Sequence, residues 1–172
     1  MAHPMPTAAP MASPITRVLT SVPRVFVGVL VLGAIATMLY GVFARYVMVP
    51  ITDWMDVDPI NFFWVEEVGE AALAWITLIG AAIAVADRGH FHLDVLIHRM
   101  SPGVRRIADI ATQSLIGAFG LLVGWLGLKL SLLNMGLTSP GLEFSLAWLY
   151  APAAIGGVLM AIYAAKNIWD RI

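Results

Sequence analysis

Four uncharged apolar stretches organise the chain, at residues 25–44, 71–86, 110–128 and 144–165. A helix needs about 20 mainly apolar residues to cross the hydrocarbon core of a bilayer. Three of the stretches reach that length, and the second, with 16 residues, is slightly short. Because the bilayer core holds no water, the backbone must satisfy its hydrogen bonds internally, which stretches of this length do as helices. The pattern predicts an all-α integral membrane protein with four transmembrane helices.

Turn-forming residues around these stretches set the expected limits of the helices. Asp58 and Pro59 are typical of a helix start, because Asp can cap and Pro fits the first turn. We expect helices at about 25–46, 59–87, 104–133 and 144–167. They form one four-helix membrane domain, 24–168, between a partly disordered N-terminal tail, 1–23, and a C-terminal tail, 169–172.

The loop between the second and third stretches has a helical period of its own. Gly89 is a natural end for the second helix. After it, apolar residues recur at i, i+3, i+4 and i+7, with polar side chains on another face. These apolar residues are Leu93, Leu96, Ile97 and Met100. The spacing predicts a short amphipathic helix at about 90–100, which lies along the membrane surface between the second and third helices.

Composition agrees with a membrane protein and restricts its chemistry. Hydrophobic residues make up 60% of the chain and charged residues 12%, and the mean hydropathy is +0.85. The net charge is −1, with no basic face that would bind nucleic acid. Cysteine is absent, which excludes disulfides, thiolate metal sites and cysteine nucleophiles.

The lysines and arginines are distributed unevenly along the chain. Eight of the ten lie before the first apolar stretch, in the loop after the second stretch, which includes Arg88, or after the last stretch. The two exceptions are Arg45 and Lys129. Because positive residues are retained on the cytoplasmic side of a membrane, we expect both termini and the central loop to be cytoplasmic.

Three glutamates, Glu66, Glu67 and Glu70, lie near the start of the second helix, at or just inside the outer membrane boundary. Two interpretations remain open. They are solvated acids that the dipole at a helix N-terminus favours, or they pair with a cation or with another subunit. Arg45 and Lys129 are the cations at the same level of the membrane. We expect at least one glutamate to pair with one of them or with another subunit.

Small residues at close spacing occur in three of the predicted helices. They are Gly80-x-x-x-Ala84, Gly120-x-x-x-Gly124 and the pair Gly156–Gly157. Small side chains at this spacing let helix backbones approach closely in a membrane. We therefore expect these positions to pack helices rather than to form a functional groove.

The strongest candidate for a metal site is the loop after the second stretch. His90, Asp94 and His98 share a helix face at i, i+4 and i+8. A zinc site needs three or four converging ligands, which one helix face rarely supplies alone. We therefore favour a brace in which His90 and Asp94 hydrogen-bond and fix the turn. No histidine lies in the apolar stretches, where a membrane cytochrome would need one on each of two facing helices.

Nothing in the sequence indicates catalysis. It has no glycine-rich phosphate loop and no nucleophile or metalloprotease motif, so we predict no cofactor and no enzyme activity. The residues at the middle of the predicted helices are mainly Ala, Leu, Gly and Ile, whereas an autonomous transporter places polar groups near the bilayer midplane. This favours an accessory subunit over a stand-alone exporter. A membrane-anchor subunit of a redox enzyme, which would also be small and four-helical, remains an alternative.

Several short segments of the chain form a pattern in a fixed order. They are RYVM at 45–48, WVEE at 64–67, GAAIA at 80–84 and RGHFHLDVL at 88–96. Together they resemble the small, DctQ-like membrane subunit of tripartite ATP-independent periplasmic (TRAP) transporters. The resemblance continues with Ser139, Pro140, Leu142, Trp148, Tyr150 and Pro152, and it covers about 41–165. The segment between Arg45 and Trp64 looks longer than is usual for the family.

The resemblance implies a function in secondary transport. In such a system a periplasmic binding protein captures a small organic substrate, often a carboxylate, and a large membrane subunit moves it inward with sodium. The small subunit acts as a scaffold for the large one in the bacterial inner membrane, in contact with membrane lipids. The charge pattern and the resemblance together indicate residues for a subunit interface or a structural motif. These are Arg45, Trp64, Glu66, Glu67, Glu70, Gly80, Arg88, His90, Asp94, Lys129, Pro140 and Tyr150.

Overall fold

The computed structural model describes residues 14–56, 62–87 and 101–170. Its helices are α1 (Pro14–Phe43), a π-helical segment (Ala44–Met48), α2 (Val49–Trp54), α3 (Phe63–Ala86), α4 (Pro102–Leu133) and α5 (Ala147–Trp169). Four helical stretches in these ranges are long and apolar enough to cross a membrane. They are Ser21–Trp54, Phe63–Ala86, Gly103–Leu133 and Ala147–Trp169. The predicted all-α fold with four membrane-spanning helices is confirmed.

The first spanning helix runs well beyond residue 46, where the sequence pattern had placed its end. The chain stays helical through the π segment and α2 to Trp54. Pro50 explains the wider turn, because proline has no N–H and its ring crowds the carbonyl four residues earlier, that of Tyr46. Just before it, the Val49 N–H donates to the Ala44 carbonyl five residues back. A single π turn therefore accommodates the proline without ending the helix.

The remaining helix limits differ from the expected ones by a few residues. α3 begins at Phe63 rather than at 59, and the non-helical Phe62 precedes it. α4 begins at Pro102, where proline suits the first turn. α5 begins at Ala147 and ends at Trp169, compared with the expected 144–167. The predicted surface helix at 90–100 lies outside the described residues.

The four long helices form a row and not a closed bundle. α1 packs on α3, α3 on α5, and α5 on α4, and no other pair of these helices packs extensively within the described residues. The central pair, α3 and α5, carries the buried core, which includes Ala82, Val85, Met160, Tyr163 and Ala164. The two edge helices, α1 and α4, each have one helical neighbour and expose most of their apolar side chains.

Glycines set the distance between the helices on both sides of α5. A Cβ at Gly157 would lie 2.5 Å from the Gly120 carbonyl oxygen of α4, and a Cβ at Gly156 would lie 2.8 Å from the Leu78 carbonyl oxygen of α3. A Cβ at Gly124 would lie 3.3 Å from the Val158 nitrogen. The predicted packing role of the Gly120-x-x-x-Gly124 motif and of the Gly156–Gly157 pair is confirmed.

Gly80 does not pack against another helix of this chain. A Cβ at Gly80 would meet no atom within 4 Å among the described residues. The buried face of α3 passes through Ile79 and Ala82, and Gly80 follows Ile79 by about 100° of helical rotation. The packing role of Gly80 therefore stays a prediction, with no helix contact to it among the described residues.

Candidate subunit interface

The row has two polar ends, which we name after their arginines. The Arg45 end holds the π segment, the start of α3 and the loop 134–146 between α4 and α5. The Arg24 end holds the end of α3, the start of α4 and the end of α5. Most of the residues that the sequence indicated for an interface lie at the Arg45 end.

An ion pair joins α1 and α3 at the Arg45 end. Arg45 Nη2 lies 3.4 Å from Glu66 Oε1. The two side chains are 74% and 67% exposed, so water screens their attraction and the pair contributes little stability. One of the three glutamates thus has one of the two expected cations as its partner, and the pair keeps donors and acceptors available to another molecule.

Glu67 has a different role from its neighbour Glu66. Its carboxylate accepts the N–H of Gly141 at 2.7 Å and the N–H of Leu142 at 2.9 Å. These two bonds tie the loop 134–146 to the first turns of α3. A Cβ at Gly141 would lie 2.8 Å from the Trp64 nitrogen, so only glycine lets the loop approach this closely.

The loop held by Glu67 is itself an ordered turn. Thr138 and Ser145 form an antiparallel bridge, and the Ser139 N–H donates to the Phe144 carbonyl at 2.8 Å. Glu143 has a φ of 55°, in the left-handed region that non-glycine residues seldom occupy. Pro140 lies exposed in this turn, beside the carboxylate-bound Gly141. A strained residue in a loop pinned at two points gives the Arg45 end a defined shape.

Glu70 and Lys129 do not pair with each other. Both are exposed, and neither forms an ion pair with any described residue. The row explains this, because α5 lies between α3, which carries Glu70, and α4, which carries Lys129. Of the two candidate cations, Arg45 and not Lys129 pairs with a glutamate among the described residues. A sequence pattern could not decide between them, since it does not give the order of helices in space.

Aromatic side chains surround the start of α3. The Trp64 ring lies 5.4 Å from the ring of Tyr40 on α1, and Tyr40 also contacts Phe62 at 6.4 Å between ring centroids. Tyr150 lies half-buried in the first turns of α5. Aromatic residues of this kind are enriched at membrane–water boundaries, which agrees with the Arg45 end being such a boundary.

At the Arg24 end, polar contacts join α1 to α3 and α3 to α5. Arg24 on α1 forms an ion pair with Asp87 at the end of α3. Asn167 on α5 is 4% exposed, and its Nδ2 donates to the Val85 carbonyl at 2.9 Å. This carbonyl is one of the last four of α3, which have no partner inside their own helix. The sequence analysis missed Asn167, although a polar residue near the end of an apolar stretch is a usable signal.

Three of the indicated residues, Arg88, His90 and Asp94, lie outside the described residues, so the proposed brace at this turn stays a prediction. Within the described ranges, no group of three His, Cys, Asp or Glu residues could hold a metal ion.

Comparisons with known proteins identify the family. No curated protein matches the chain. The family model for the DctQ component of tripartite ATP-independent periplasmic transporters matches residues 34–172, which is well over half of the chain and includes the whole Arg45 end. The chain therefore belongs to the DctQ family, and it is a small membrane component of a TRAP transporter in the inner membrane rather than an enzyme.

Proposed function

We propose that the chain is the scaffold on which the large membrane subunit of the transporter is held. The transporter imports a small organic substrate, often a carboxylate, together with sodium, after a periplasmic binding protein has captured that substrate. The large subunit moves the substrate, and the chain described here binds none of it. Family membership supports the assignment to a TRAP system, and the arrangement of the helices supports the scaffold role.

The observation that carries the proposal is the row of helices. A row extends further across the membrane than a closed bundle of the same four helices, and it leaves two long apolar edges. In the most apolar part of the Ser21–Trp54 span no residue is buried within the chain, and in the Gly103–Leu133 span 17% are buried. One edge is then available to the large subunit and the other to lipid. A broad, thin subunit fixed along one edge resists rotation in the membrane, as a scaffold requires.

The polar ends suggest how the chain is oriented and what else it contacts. The first residues of α1 and the last residues of α5 lie on the Arg24 side, which also carries Arg105 and Arg106. By the charge rule this side is cytoplasmic and the Arg45 end faces the periplasm. The residues we assign to contacts with the large subunit or the binding protein are Arg45, Trp64, Glu66, Glu70, Gly80 and Lys129. Glu67, Pro140 and Tyr150 have structural roles at the same end.

A reconstitution experiment tests the function. The substrate is first identified by the thermal stabilisation of the periplasmic binding protein with a panel of organic acids. Proteoliposomes with the large subunit, with and without this chain, then receive the loaded binding protein and a sodium gradient. We expect uptake only when both membrane subunits are present, and no uptake by this chain alone. Equal uptake without this chain, or uptake by this chain alone, would contradict the proposal.

Crosslinking tests the scaffold edge separately. The chain has no cysteine, so single cysteines can carry a photo-crosslinker without further changes. Val29→Cys places it on the exposed edge of α1, and Leu115→Cys on the exposed edge of α4. Ala82→Cys, which is fully buried between α3 and α5, is the control. We expect one edge to crosslink to the large subunit and the buried site not to do so. Equal, weak crosslinking from both edges would rule out a fixed interface.

A further inference from the structure

A groove lies between α1 and α3 at the Arg45 end. Its volume is about 730 Å³, which falls in the range of about 300–1,000 Å³ that is usual for small-molecule sites. Most of its walls are apolar and include Met38, Val42, Val65 and Phe63. Met38 and Val42, on α1, are half-exposed, so the groove begins on the surface of an edge helix.

The groove has charge at one level, apolar walls deeper in the membrane, and Val49 and Phe62 on the outer side of the charges. Arg45 and Glu66 line it together, 3.4 Å apart. From Arg45 the lining continues along α1 through Val42 to Met38, seven residues or about 10 Å deeper into the membrane span. Tyr46 lines the groove next to Arg45, and tyrosine is enriched at the level of the lipid headgroups. This order of polar and apolar surfaces along the membrane normal matches that of a phospholipid.

The ion pair in the groove suits one class of headgroup. A guanidinium binds a phosphate through two parallel N–H donors. The carboxylate of Glu66, held beside Arg45, accepts hydrogen bonds from a primary ammonium. A headgroup that carries a phosphate and an ammonium a few ångströms apart matches both side chains at once. The quaternary ammonium of a choline lipid has no N–H to donate, and a glycerol lipid has no cation to place against Glu66.

We propose that this groove binds one phosphatidylethanolamine, with its phosphate on Arg45, its ammonium on Glu66 and an acyl chain along Met38 and Val42. The π segment contributes to the site, because Arg45 and Tyr46 both belong to it. Single π turns inside helices occur frequently at functional sites. The proposal does not depend on the scaffold role, since it concerns a surface within this chain.

Lipid retention by the complex of both membrane subunits tests the site. The complex is purified in mild detergent, depleted of lipid, and titrated with dioleoyl phosphatidylethanolamine, phosphatidylcholine or phosphatidylglycerol, with bound lipid counted by native mass spectrometry. We expect one tightly held phosphatidylethanolamine per copy of this chain and weaker binding of the other two. Arg45→Gln and Glu66→Gln should each weaken phosphatidylethanolamine binding about tenfold, as the loss of a hydrogen bond to a charged group predicts.

Two matched variants control for a general loss of charge. Arg105→Gln and Asp53→Asn remove an exposed arginine and an exposed acid that do not line the groove, and they should leave lipid binding unchanged. Val42→Trp fills the groove without altering either charge, and it should expel the lipid even if the charge variants fail to assemble. Equal binding of the three lipids, or retention of the lipid by Val42→Trp, would overturn the proposal. So would a large-subunit segment crosslinked into the groove from Val42→Cys.

Discussion

Replacing Gly157 with alanine is the sharpest test of how the row of helices is held together. The Cβ of an alanine would lie 2.5 Å from the Gly120 carbonyl oxygen and 2.7 Å from the Gly124 Cα. Non-bonded heavy atoms are at their optimal separation near 3.5–4.0 Å, so α4 and α5 would have to move apart by about 1 Å. Both contacts are to backbone atoms, which cannot rotate away as a side chain would.

The size of the effect follows from two opposing contributions. Overpacking of a tight contact costs about 1–3 kcal/mol. An alanine inside a helix is favoured over glycine by about 1 kcal/mol where no clash occurs. Gly33→Ala isolates this second contribution, because a Cβ at Gly33 in α1 meets no atom within 4 Å. Gly157→Ala should therefore be less stable than Gly33→Ala by about 1–3 kcal/mol in the free energy of unfolding.

Thermal unfolding in detergent, followed by circular dichroism, measures this difference. At about 2–4 °C for each kcal/mol in a chain of this size, the two alanine variants should differ in Tm by about 2–12 °C. Gly120→Ala faces Gly157 across the same contact, and its Cβ would lie 2.8 Å from the Gly157 carbonyl oxygen. The double variant should cost less than the sum of the two single variants, because helices already separated by one methyl group accommodate the second. Equal Tm values for Gly157→Ala and Gly33→Ala would refute the close contact between α4 and α5.

Two further predictions concern polar contacts between distant parts of the chain. Glu67→Ala removes the acceptor for the Gly141 amide, so hydrogen exchange in the loop 134–146 should accelerate. Glu70→Ala removes an exposed acid without such bonds and should leave exchange in this loop unchanged. Equal effects of the two variants would contradict the assigned role of Glu67. Asn167→Leu removes the side-chain donor to the buried Val85 carbonyl and should destabilise the chain by about 1–3 kcal/mol, measured as a lower Tm. An unchanged Tm would show that the bond contributes nothing.

The spanning helices could be predicted from the sequence because lipid restricts the choices. A long apolar stretch in a bilayer has to be helical, so length and hydropathy alone indicate the number of crossings. The end of the first helix was harder to predict. Pro50 and the charged Arg45 both suggest a stop, yet the apolar residues around them continue the helix through a π turn. The sequence shows that Pro50 disturbs the helix, but it does not show whether a π turn can accommodate the proline.

Some contacts at the Arg45 end could be predicted from the sequence, and others could not. A pair between Arg45 and a glutamate was expected from their common depth in the membrane, and Glu66 provides it. The bonds from Glu67 to Gly141 and Leu142 join residues more than 70 positions apart. They depend on α5 lying beside α3, which no sequence spacing indicates. Lys129, the other candidate cation, lies on α4, which does not pack beside α3 in the described residues.

Family membership decides between the two functions that the sequence had left open, a transport subunit and an anchor for a redox enzyme. It gives the type of complex, whereas the row of helices suggests how the chain works within it.

The position of α1 connects stability with function. Lipid tails are as apolar as leucine, so in a membrane α1 gains little from burying its apolar face against another helix. Its attachment to α3 instead rests on ion pairs at both ends, Arg24 with Asp87 and Arg45 with Glu66, and on close packing, as of Met38 against Gly69. Exposed ion pairs of this kind contribute at most about 1 kcal/mol each. A helix held this weakly gains stability from whatever occupies its free face or the groove beside it. The surfaces that we assign to the large subunit and to a phospholipid are therefore those with the fewest stabilising contacts in the isolated chain.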